Sequence, residues 1–233
     1  MKKEQLVSTL AQQLSAVQAE RSGARRDPAL LAARTALKTF QSQRLAATHA
    51  DLLASADTRD AALFFFDELY GAHDLSRRDA DLERIIPTMQ RVLPVNALQA
   101  ITEAIVLDAL SERLDTQMAQ RLGPCFDQAG YIAAYRDATS AAERARQLDL
   151  VQALGESLCE LVRIPFLSAT LGLMRGPARL AGLGDLQQFL ERGFHAFKRM
   201  RQPQRFVATI AERERLAMQR IQAGHPAPFK LDN

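Results

Sequence analysis

Three consecutive phenylalanines, Phe64, Phe65 and Phe66, set the tightest constraint in this chain. They lie within residues 61–87, AALFFFDELYGAHDLSRRDADLERIIP, a stretch that reads as helix. At about 100° per residue the three rings sweep about 200° of a helix surface. One core-facing stripe cannot hold them all. Either neighbouring helices wrap this one on nearly every side, or one ring reaches a ligand or partner.

The rest of the chain also reads as helix. No alternating apolar and polar run is bounded by turn signals, so no significant sheet is expected. Leu6, Leu10, Leu14 and Val17 mark a first helix over residues 4–21, closed by Gly23. Asp27 caps a second helix that Pro28 opens and that runs to residue 55. Asp57 caps the helix of the triplet, which stops at Gly71. Ser76, with Asp79 three residues on, starts the next, and Pro87 kinks or ends it. Pro94, Asp127, Ser140, Asp185 and Pro203 mark further starts, with a Gly176-Pro177 turn between two of them. The expected fold is therefore all-α: a single-domain bundle of about nine or ten helices over residues 1–224. An extended or disordered tail over 225–233 completes it.

Of the 233 residues, 47% are hydrophobic, which suits a globular chain. Two cysteines without CxxC spacing, Cys125 and Cys159, point to a reducing compartment. The amino terminus lacks the apolar core of a signal peptide, and no run of about 18 apolar residues could span a membrane. The expected location is the cytoplasm. Charge is uneven. Residues 1–50 hold eight Lys/Arg against three Asp/Glu, and residues 51–119 hold thirteen acids against six bases. The acidic middle argues against a nucleic-acid partner.

Several chemistries find no support. A di-iron bundle needs Glu-x-x-His pairs, and no glutamate here has a histidine three residues later. His49, His73, His195 and His225 are far apart and lack zinc-site context, so no metal is expected. Residues 155–159 lack the closing glycine of a nucleophile elbow. Gly182-Leu183-Gly184 lacks the third glycine of a dinucleotide fingerprint, and no cofactor is implied.

Three groups of residues stand out. Asp108, Glu112 and Asp115 share one helix face by their spacing of four and three. They suit acid/base work or a cation, or else pair with arginines such as Arg77, Arg78 or Arg121. Lys198, Arg199, Arg201 and Arg205 form a basic cluster suited to an anion or to a solvated helix end. Around the triplet, Phe64, Asp67, Glu68, Tyr70, His73, Arg77 and Arg78 make a candidate aromatic-acidic binding surface.

The run Phe64-Phe65-Phe66-Asp67-Glu68-Leu69-Tyr70 resembles the proteobacterial helical proteins named for an FFLEELY motif. Phe66 replaces the family leucine and Asp67 a glutamate. Residues 108–115 (DALSERLD) and 189–200 (FLERGFHAFKRM) are also similar, so the resemblance covers most of the chain. It implies a bacterial source. The family is functionally uncharacterised, so no activity follows.

The leading expectation is a non-catalytic interaction protein, with a protein partner or a second copy on the surface around 64–78. Its rival is a carrier enclosing an apolar ligand, such as a lipid or tetrapyrrole, in a cavity of about 300 Å³ or more beside Phe64. An enzyme using the Asp108, Glu112 and Asp115 stripe comes third.

Overall fold

The computed structural model describes residues 2–69 and 75–230, and the backbone alone at 67–69, 76 and 92. Among the described residues there is helix and no strand. In chain order the elements are α1 (Lys3–Arg26), α2 (Pro28–Thr48), α3 (Ala50–Ala54), α4 (Arg59–Leu63), a π-helical segment (Phe64–Leu69), α5 (Ser76–Val92), α6 (Val95–Leu122), α7 (Gln128–Asp137), α8 (Ala141–Leu161), α9 (Leu167–Leu173), α10 (Arg175–Leu180), α11 (Gly184–Arg199) and α12 (Pro203–Gln222). α6 is the axis, packed against α1, α2, α7 and α8. α12 lies on α8, and α11 bridges α4, α5, α8, α9 and α10.

Local chemistry explains most boundaries. The Asp27 carboxylate accepts from the Ala29 and Leu30 amides, and Pro28 needs no acceptor at the first helical position. Ser140 and Glu143 form a reciprocal capping box. Gly224 takes positive φ after α12, and the His225 amide reaches back to the Arg220 carbonyl.

Other boundaries depart from the sequence expectation. Gly23 does not end α1, which runs on to Arg26. A helical glycine costs only about 1 kcal/mol, whereas Pro28 and Asp27 impose the break. α2 stops at Thr48 rather than residue 55, because His49 leaves helical geometry before the short α3. Thr58, not Asp57, precedes α4; the Asp57 carboxylate instead accepts from Arg201. Ser76 is the first residue of α5, and Asp79 is buried in an ion cluster. α5 also continues through Pro87, which sits on its exposed side, where water can serve the carbonyl that proline cannot. Gly176 and Pro177 lie inside α10, and Leu183 rather than Asp185 precedes α11. The expected end at Gly71 lies outside the described residues.

The triplet is resolved by a change of helix type. Phe64–Leu69 forms a π-helix, whose wider i→i+5 turns rotate less per residue than α-turns. The rings thus span a smaller arc, and all three are buried, at 9%, 3% and 2% exposure. Phe65 packs between Phe197 of α11 and Phe206 of α12. Phe66 stacks on the His49 ring at 5.5 Å. Phe64 lies under α11, 5.4 Å from the Phe189 ring and against Gly193. This cluster is one of three. A second joins Leu6, Leu10 and Leu14 to Leu82, Ile86 and Leu98. The third joins Leu37, Met118, Tyr131 and Ile221. Residues 225–230 fold back on that third cluster: Pro228 is buried, and Phe229 lies 6.1 Å from Tyr131 and under the Arg44 guanidinium.

Candidate functional site

The carboxylate stripe of α6 faces the junction of α1, α2 and α5. Arg21 of α1 donates to Asp108 at 2.8 Å and to Glu112 at 3.1 Å, and it pairs with Asp79 of α5. Arg78 of α5 donates to Asp79 at 2.8 Å and to Asp108 at 2.6 Å. Arg34 of α2 pairs with Glu112 and donates to the Thr116 hydroxyl at 2.7 Å. Lys38, one turn on, reaches Glu112 at 2.6 Å. The Gln41 amide donates to Asp115 at 3.0 Å. Asp79 and Glu112 are almost fully enclosed. Burial lowers the Lys38 and Arg34 pKa values, with the Asp115 charge the main opposing influence in each.

A second buried set adjoins this one. Arg44 of α2 pairs with Glu214 of α12, and His49 Nε2 is 3.0 Å from the same carboxylate. Burial pushes the Glu214 carboxyl up, but the Arg44 charge and the hydrogen bonds from His49 and Arg44 outweigh it and hold it at about 2. His49 is therefore a satisfied core histidine, stacked and hydrogen-bonded. Arg144 lies 4.3 Å over the Tyr135 ring and donates to Gln147. Burial raises the Tyr135 pKa.

Between the two sets lies a chamber of about 60 Å³, lined by Arg21, Lys38, Arg44, Asp115, Arg144 and Glu214 among others. It has room for about two water molecules. It is far too small and too polar for a lipid or tetrapyrrole. A larger hollow of about 430 Å³ beside Phe64 is an open surface groove, bordered by Asp60, Arg192 and His195. Each stripe carboxylate meets a cationic or amide donor, so the stripe serves as the hub of an ion cluster. Among the described residues, no three His, Cys, Asp or Glu side chains gather as metal ligands.

The structure disperses the other candidate groups. Of the arginines expected on the stripe, Arg78 is there, Arg77 is exposed, and Arg121 pairs with Asp137 at the surface. Arg199 pairs with Asp60, Arg201 pairs with Asp57, and Lys198 lies 5.5 Å from the Phe194 ring, so with exposed Arg205 they do not converge on one anion. Phe64 is packed against α11 and keeps only an edge on the open groove. Tyr70 and His73 lie outside the described residues, as do the side chains of Asp67 and Glu68.

The surface feature that remains is α9–α10. Phe166 is 84% exposed, Leu173 78% and Leu180 93%, with Ile164 and Met174 also exposed. Phe166 adopts φ 64°, the left-handed region that costs a bulky residue about 1–3 kcal/mol. The pair of helices is held from beneath. Gln187 of α11 donates to the Leu171 carbonyl at 2.6 Å, and Arg175 pairs with Glu191 at 2.7 Å. Arg84 of α5 donates to the Gly182 carbonyl at 3.2 Å. The sequence signal is an apolar, glycine-bearing segment without an acid over 164–183.

A family model described as a domain of unknown function (DUF8198) matches residues 20–228. The chain belongs to the DUF8198 family. No curated protein and no solved structure matches it. In this DUF8198 chain the matched region takes in the end of α1 and α2–α12, and with them the whole ion cluster and the α9–α10 segment. No helix of the described residues is long and apolar enough to cross a membrane.

Proposed function

We propose that this is a cytoplasmic bacterial binding protein whose contact surface is the α9–α10 face rather than the rings around Phe64. One observation carries the reading: Phe166 before α9, Leu173 at its end and Leu180 at the end of α10 stand almost fully in solvent. Exposed apolar side chains are ordinary when scattered singly, but several within one short segment mark an interaction site. The strained Phe166 backbone holds an aromatic ring outward where folding alone gains nothing from it. The ion cluster supports this reading as a scaffold, because its carboxylates are engaged by fixed cations. Small water-sized space and charged walls weigh against the carrier.

Photocrosslinking in cells tests the proposal. Benzoylphenylalanine placed at Phe166, Leu173 or Leu180 is expected to give adducts. The same group at Leu31 or Val95, exposed apolar positions on α2 and α6, is expected to give none. Equal yields at all five positions refute the assignment.

A further inference from the structure

We propose that the α9–α10 face seats on an anionic lipid bilayer, with its apolar side chains in the interface and Arg163 and Arg179 against the headgroups. The inference rests on the reading of α9–α10 as a contact surface and names its partner. Three observations carry it.

The first is charge. Residues 163–183 contain Arg163, Arg175 and Arg179 and no acid. Arg163 and Arg179 are exposed, and among the described residues neither has an acidic partner. Basic groups beside exposed apolar ones are the composition of interfacial segments, each base adding attraction to an anionic leaflet. Glu160 stands outside this span, and Asp185 and Glu191 line a hollow with Arg175 and Arg179, where Glu191 pairs with Arg175 and leaves Arg179 without an ion pair among the described residues.

The second is shape. The exposed apolar side chains stand at three points: Ile164 and Phe166 before α9, Leu173 and Met174 at the α9–α10 joint, and Leu180 at the end of α10. Helices of seven and six residues are about 10 Å long and cannot present the multi-turn stripe that a grooved partner reads. A fluid acyl boundary needs no such complementarity.

The third separates lipid from a second copy. A two-fold pairing sets one patch against itself, so a face carrying the exposed Arg163 and Arg179 meets a face of the same sign. An anionic bilayer supplies the missing countercharge.

Flotation of the full chain with vesicles tests the proposal. Vesicles of phosphatidylcholine and phosphatidylglycerol in equal parts are expected to carry the protein at low salt. Phosphatidylcholine vesicles are not, and binding is expected to fall away in about 1 M salt, where charges are screened within about 3 Å. Leu173→Asp and Leu180→Asp should each weaken binding by about tenfold or more, because each places a new acid in the interface. The Arg163→Gln, Arg179→Gln double variant should weaken it by about tenfold or more as well. Leu31→Asp should bind as wild type does. All the replaced side chains are exposed, and thermal melts by circular dichroism verify that each variant is folded. Absence of flotation by the wild type overturns the proposal, as does flotation that Leu173→Asp and Leu180→Asp leave unchanged. A dimer in native mass spectrometry that Leu180→Asp dissolves, without flotation, assigns the face to a second copy. That result overturns the lipid partner and leaves the contact surface standing. Absence of flotation together with absence of crosslinks at Leu173 and Leu180 overturns both.

Discussion

Gly193 and Phe64 provide the sharpest test of how the triplet is packed. A Cβ built on Gly193 meets Phe64 Cζ at 2.7 Å, and Cε1 and Cε2 at 3.1 and 3.3 Å. Gly193→Ala therefore forces the ring to move, at about 1–3 kcal/mol, while the better helix former returns about 1 kcal/mol. The net expectation is a loss of up to about 2 kcal/mol. Phe64→Ala removes the ring and should cost about 3 kcal/mol, the low end of its class, because an open groove lets water into part of the space. Phe65→Ala and Phe66→Ala should cost about 4–5 kcal/mol, since both rings are enclosed by aromatic neighbours. In the Phe64→Ala background the new methyl of Gly193→Ala enters vacated space. Its sign then reverses, and the double variant should be about 1 kcal/mol more stable than Phe64→Ala alone. Urea titrations followed at the helical circular-dichroism band read this directly, a shift of about 4 kcal/mol moving the midpoint by about 1.3 M. An identical effect of Gly193→Ala in both backgrounds would refute the packing. So would a loss below about 1 kcal/mol for Phe64→Ala, the result for a ring held for a partner.

Two further outcomes follow from the buried charges. Glu112→Gln keeps the shape of the hub but leaves Arg21, Arg34 and Lys38 without its charge, and should cost about 3–5 kcal/mol. Asp137→Asn, at the exposed Arg121 pair, should stay within about 1 kcal/mol in the same denaturation series, and equal losses at the two sites would undo the distinction. Glu214 sits at about 2 in the fold against an ordinary value of 4.5, so its contribution is complete above pH 4.5 and is lost as pH falls toward 2. The loss amounts to about 3 kcal/mol and should be missing from the acid limb of the stability profile of Glu214→Gln, in which Arg44 and His49 no longer face a carboxylate.

The sequence carried the helices well because their signals are local. Leu6, Leu10, Leu14 and Val17 recur on one face and are all buried, and Asp27, Asp127 and Ser140 cap the helices their positions announce. Gly23 does not end α1 because a helical glycine costs little, and Pro87, expected to kink or end α5, does not end it because it sits on the exposed side. The π-helical turn had no local signature beyond the crowding of three rings. The ion cluster was half legible. The α6 stripe follows from spacing, but Arg21 lies 87 residues from Asp108 and Arg34 lies 78 from Glu112. Which cations arrive depends on how α1 and α2 cross α6, and nothing in the stripe specifies that. The apolar, acid-free composition of 164–183 is legible as well. Its exposure was not, since burial depends on what packs above it.

The conspicuous segment around the triplet supports α9 and α10 from below. Arg78 ties the ion cluster to α11, with its guanidinium 5.5 Å from the Phe189 ring. Phe189 in turn covers Phe64, and Gly193 admits that ring against the α11 backbone. Further along α5, Arg84 reaches the Gly182 carbonyl just beyond α10. α5 and the π-helical turn therefore touch both the charged centre and the platform that carries α9 and α10. A buried ion cluster adds little stability over apolar packing of equal volume, but its paired donors and acceptors fix how helices are placed. Placement is what a platform for short, otherwise weakly held helices requires, since α9 and α10 are too brief to be stable alone. The charged core and the exposed apolar face are in this sense one construction: the first sets the position of α5 and α11, and those two helices hold the second outward.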